Sequence, residues 1–72
     1  MNYTKLNSTL KVISEGELPR DMWGHVLSGE EMIVWYGFDE ILDADELKYI
    51  ERRLTELAET QIIKDIMNLL QI

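Results

Sequence analysis

The chain has no cysteine, a single proline and a single histidine among its 72 residues. Without cysteine there is no disulfide, no thiolate metal site and no thiol nucleophile. Glycine occurs only at positions 16, 24, 29 and 37, so neither glycine nor proline interrupts anything after Gly37. No phosphate-cradling glycine loop, dinucleotide fingerprint or zinc-ligand spacing is present. No apolar run approaches the roughly 18 residues of a membrane span, and Met1–Lys5 lacks the pattern of a signal peptide. The expectation is a soluble, cytoplasmic protein with no membrane contact. Basic residues are also scarce: seven Lys and Arg stand against fourteen Asp and Glu, a formal net charge of −7. Direct nucleic-acid binding, which needs cations against phosphate, is disfavoured.

A chain of this length forms one small domain, residues 1–72. It buries only about 60% of its unfolded surface and is marginally stable by itself. Disulfides are excluded and no metal motif is visible, which leaves association with another chain as the usual supplement.

The most informative stretch runs from Asp43 to Ile72. Asp43 is placed to cap a helix, and Glu46, three residues on, completes a capping-box spacing. Asp45 and Glu46 put negative charge at the positive end of the helix dipole. Arg52 and Glu56 stand at i,i+4. Leu47, Ile50, Leu54, Leu57 and Ala58 fall on one arc of a helical wheel. Ile62, Ile63, Ile66, Met67, Leu69 and Leu70 fall on another, rotated by roughly 120°. Two readings compete. The helix breaks near Glu59-Thr60-Gln61, with Thr60 as a weak cap, and both arcs meet one core. Or it runs straight for about 40 Å, too far for so small a monomer to cover, and its end faces a second chain. The second arc is therefore the expected homodimer interface.

Upstream, Tyr3, Leu6, Leu10 and Ile13 are spaced 3, 4, 3, and Gly16 follows as a stop. The spacing predicts a helix, with a strand over Thr9–Ser14 as the rival. Pro19 suits a first helical turn, and Met22, Trp23, Val26 and Leu27 recur at helical spacing, although Gly24 costs such a helix about 1 kcal/mol. Ser28 and Glu31 repeat the capping-box spacing ahead of Met32–Tyr36, and Gly37 is placed as a stop. The rival is a β-hairpin over 22–36 that turns at Gly29-Glu30. That hairpin would be apolar on both faces, more than one long helix can cover. Phe38, Ile41 and Leu42 are expected to tuck into the core. The predicted fold class is all-α, with short N-terminal helices and a long C-terminal helix. The alternative is α+β, with the hairpin packed on that helix.

Groups able to carry chemistry are few. His25 has Asp21 four residues before it, but a general base also needs a nucleophile or a polarised water. Ser8, Ser14 and Ser28 read as turn and cap residues. The carboxylates Asp39, Glu40, Asp43, Asp45 and Glu46 are dense but lack the spacing of a calcium loop. No enzymatic activity, metal or cofactor is expected. A helix-turn-helix over Asp21–Gly37 would offer the groove Glu30, Glu31, Met32, Val34 and Trp35, with no Arg, Lys, Asn or Gln for bases or phosphates.

Charge is unevenly spread. Glu15–Glu46 holds ten acidic residues and Arg20 alone on the basic side, −9, while the remainder carries +2. Trp23, Trp35, Tyr36 and Phe38 lie inside this acidic segment, and exposed Trp and Tyr are typical interface anchors. The pattern points to a small acidic protein that binds another protein with a basic surface and regulates or inhibits it. By analogy of size and charge it is of the compact kind that phages and mobile elements encode. Its expected partner-binding residues are Glu30, Glu31, Trp35, Tyr36, Asp39 and Glu40. Two other readings stay open. One is a nucleic-acid mimic that blocks a basic DNA- or RNA-handling protein. The other is a structural homodimer or assembly subunit.

Overall fold

The computed structural model describes residues 3–71. Its order is helix α1 (Thr4–Glu15), helix α2 (Gly29–Tyr36), a 3-10 turn (Phe38–Glu40) and helix α3 (Ala44–Leu70). The all-α reading holds, and Ile72 lies outside the described residues.

Both capping boxes form. The Ser28 hydroxyl accepts the Glu31 N–H at 3.2 Å, and the Glu31 carboxylate accepts the Ser28 N–H at 3.2 Å. Asp43 and Glu46 make the same exchange at 2.9 and 3.1 Å. Each satisfies two backbone donors that a helix start otherwise leaves open. Gly37 ends α2 in the left-handed region at φ 79°, where glycine lacks the Cβ clash of other residues. Gly16 ends α1 in extended conformation.

Leu6 and Leu10 of α1, Met32 and Ile33 of α2, Phe38 of the 3-10 turn, and Ile50, Leu54 and Ala58 of α3 form the core. Met32, Ile50 and Leu54 are fully buried. The N-terminus of α2 meets α3 at very short range. A Cβ on Gly29 would lie 2.2 Å from Thr55 Oγ1, 2.8 Å from the Glu51 carbonyl oxygen and 3.0 Å from the Thr55 nitrogen. Only glycine lets the two backbones approach so closely. At the other side of the core, the Tyr3 and Tyr49 rings stack at 4.5 Å. Arg53 donates to the Tyr49 hydroxyl at 2.9 Å, and that hydroxyl donates to Asn7, tying α1 to α3.

Two expectations are corrected and two alternatives that the sequence left open are decided. First, the segment from Pro19 to Leu27 is not helical. Asp21 Oδ1 accepts the N–H groups of Trp23 and His25, both at 2.9 Å, and Gly24 takes φ 82°. An isolated antiparallel bridge pairs Arg20 with Val26. A local side-chain turn outcompetes a helix that Gly24 already weakens. Met22 and Trp23, 87% and 74% exposed, stand at the tip of this turn and not in the core. Second, the 22–36 hairpin does not form, because Gly29 and Glu30 are the first residues of α2. Third, α3 is unbroken. Thr60 caps nothing; its hydroxyl donates to the Glu56 carbonyl at 3.0 Å within the helix. Fourth, Ile41 is exposed while Phe38 is buried and Leu42 half-buried. The surface ion pair also shifts by one residue, to Arg53–Glu56 at 3.8 Å, an exposed contact of small energetic weight.

Two glycine substitutions test this packing. Gly29→Ala should destabilise by about 1–3 kcal/mol, because the backbone of α3 has to move to admit the methyl group. Gly16→Ala, whose Cβ would meet nothing closer than 3.8 Å, should stay within about 0.5 kcal/mol of the parent. Urea denaturation followed by circular dichroism measures both, and the parent spectrum should show well over half of the residues in helix.

Candidate functional site

Two exposed apolar surfaces stand out among the described residues, and they share no residue. The first is the outer face of α2. A helix of this phase buries Gly29, Met32 and Ile33 against α3 and half-buries Tyr36. It necessarily turns Glu30, Glu31, Val34 and Trp35 outward. Together with Leu27 these four line a shallow depression whose floor is mostly apolar. Trp35 is 62% exposed. Its ring meets Tyr36 edge-on at 5.0 Å, and Tyr36 in turn lies 5.4 Å from buried Phe38. The exposed indole is thus backed by an aromatic series that leads into the core. Burial raises the Tyr36 phenol above its ordinary range. Tyr36 is half-buried behind the indole. Asp39, Glu40 and Ile41 follow on the exposed side of the 3-10 turn.

The ten acids of the Glu15–Glu46 segment divide in two. Asp21 closes the 21–24 turn, and Glu31, Asp43 and Glu46 serve the capping boxes. Glu15, Glu17, Glu30, Asp39, Glu40 and Asp45 are exposed. Glu31 and Asp43 are exposed as well, so their carboxylates still add to the surface charge. Val34 and Ile41, absent from the expected site, belong to its surroundings. The stop at Gly37 and the α2 phase set by the Ser28 cap were signals that could have found Val34.

The second surface is the end of α3. Ile62, Ile63, Ile66, Met67, Leu69 and Leu70 are between 45% and 80% exposed. Ile62, Ile66 and Leu69 form one wall of a groove whose other wall is His25 and Val26, with Asp65 between them. A clamp holds that groove in shape. Arg20 donates to both Asp65 carboxylate oxygens at 3.0 and 3.2 Å, and to the Gly24 carbonyl at 2.7 Å. Gln61 adds a bond to Asp65 at 3.0 Å. The expected His25–Asp21 contact exists only through the His25 backbone, so the pair is no acid–base dyad. Among the described residues no three acidic or histidine side chains converge as metal ligands, and no helix is long and apolar enough to cross a membrane.

No protein-family model, no curated protein and no solved structure matches the chain.

The hydrogen bonds from Arg20, and then from Gln61, hold the Asp65 carboxyl below the ordinary carboxylate range; the bond to Asp65 in turn raises Arg20. A carboxyl whose folded pKa is depressed contributes fully above its unfolded pKa and loses that contribution as pH falls through the folded value. The clamp should therefore hold at neutral pH and open below the usual carboxylate range. The amide resonances of Gly24 and His25, followed by NMR on acidification, should move with Asp65. In Asp65→Asn they should already sit near the open position at neutral pH, with the core resonances unchanged.

Proposed function

We propose that this protein works by binding another protein through the outer face of α2 and the 3-10 turn, and that it regulates or inhibits its partner in the cytoplasm. The observation that carries the reading is the exposed Trp35, backed by Tyr36 and Phe38 and set beside Leu27, Val34, Glu30 and Glu31, with Asp39 and Glu40 exposed on the 3-10 turn that follows. Large aromatic side chains held rigidly at a surface lose little conformational entropy on docking and are typical energetic centres of interfaces. The acids around it favour a partner whose facing surface is basic. They would steer encounter, while the indole and Val34 would hold the docked complex.

The experiment is capture of the partner on immobilised protein from a lysate of the native host, followed by surface plasmon resonance at two ionic strengths. Trp35→Ala should raise the off-rate by about tenfold or more, as loss of a central anchor does. Lys at positions 30, 39 and 40, with Glu31→Gln so that the cap is preserved, should lower mainly the on-rate. That on-rate should fall as the Debye length drops below about 10 Å. A response to charge reversal with indifference to Trp35→Ala would favour the mimic of nucleic acid. Indifference to both would remove the α2 face from consideration.

A further inference from the structure

We infer that the exposed end of α3 pairs with the same segment of a second copy of this chain, antiparallel, about a two-fold axis at Ile66. This surface shares no residue with the α2 face, so the inference stands or falls separately from the proposed function. Three observations carry it.

The first is area. Ile62, Ile63, Ile66, Met67, Leu69 and Leu70 are each open for about half to four-fifths of their surface. Side chains of this size offer on the order of 100 Å² each. Several hundred Å² of apolar surface then lies on one helix end, the greater part of the ~800 Å² per partner that a stable interface needs.

The second is local charge. The molecule carries −7 overall, so association of two copies is opposed wherever its acids face each other. The end of α3 is where that opposition vanishes. From Gln61 to Leu70 the only charged side chains are Lys64 and Asp65, and Arg20 neutralises Asp65 by direct contact.

The third is the placement of the remaining charge, which selects the direction. The helices α1 and α2 cover α3 only as far as Ala58. A parallel pair would set the two acidic bodies side by side. An antiparallel pair centred on Ile66 places Ile62 opposite Leu70 and Ile63 opposite Leu69. The first turn of α3 then lies roughly 30 Å from the crossing on either side, several Debye lengths clear of its counterpart. Such a contact is isologous and closes on itself, as symmetric dimers do.

Sedimentation velocity at high micromolar concentration should give twice the mass of the 8.5 kDa chain. Ile66→Asp should shift it to the monomer with helix content retained, because Ile66 is not part of the core. Leu70→Arg, at a site 80% exposed, is the second variant and should weaken the dimer at least tenfold. Direction is read by cross-linking, since any introduced cysteine is the chain's only one. Neither Ile62→Cys nor Leu70→Cys alone should form a covalent dimer on mild oxidation, whereas an equimolar mixture of the two should. A folded monomer at that concentration would overturn the proposal and leave the surface to a different protein. Self-cross-linking of either single variant, or no product from the mixture, would overturn the antiparallel pairing.

Discussion

The contact between Gly29 and the Glu51–Thr55 turn of α3 governs the rest of the structure. It brings the start of α2 against α3 with no side chain between them. Met32 and Ile33, one turn further on, then reach Ile50 and Leu54, and the fully buried part of the core is made there. Because α2 is only two turns long, its phase against α3 also decides what it shows to solvent. The face opposite Gly29, Met32 and Ile33 can only be Glu30, Glu31, Val34 and Trp35. A packing constraint on one side thus creates the candidate binding surface on the other.

The same geometry explains why α3 is left partly uncovered. Its 27 residues span about 40 Å. The helices available to cover it have 12 and 8 residues, and both pack on its first half. The 46 Å long dimension of the molecule, against 22 and 16 Å for the others, is this overhang. What touches the far end is the 21–26 turn, held by Arg20 on Asp65. That clamp is polar and exposed at 38% and 36%, and it shapes a groove without burying the apolar residues beside it. An apolar helix end uncovered by its own chain is the kind of surface that marks an interaction site.

The acidic composition has two roles that the sequence total merges. Four carboxylates of the dense segment hold helix starts and a turn in place. The other six are exposed, as are Glu31 and Asp43 among the four. Asp65, outside that segment, is the carboxyl most directly tied to a tertiary contact.

The elements legible in the sequence are those set within three or four residues. Ser28 with Glu31, Asp43 with Glu46, and Gly37 as a stop are local hydrogen-bond and backbone effects, and no other part of the chain is needed to predict them. The α1 stripe is legible for the same reason, since Leu6 and Leu10 differ from their neighbours by side chain alone. Local evidence misplaced the Pro19–Leu27 segment. Apolar spacing there mimics a helix, while the winning interactions are the Asp21 turn and the long-range pull of Arg20 toward Asp65, forty-five positions away. Whether α3 breaks at Thr60 was equally undecidable from pattern. Both forms satisfy the local backbone, and the choice depends on how much of the second arc α1 and α2 can reach. Which aromatics stand outside followed from tertiary contacts as well. Trp23 and Trp35 have the same composition and the same acidic setting as Tyr36 and Phe38. The turn at Gly24 and the approach at Gly29 decided that the indoles face solvent, because burial depends on which backbones can come close and not on which side chains are apolar.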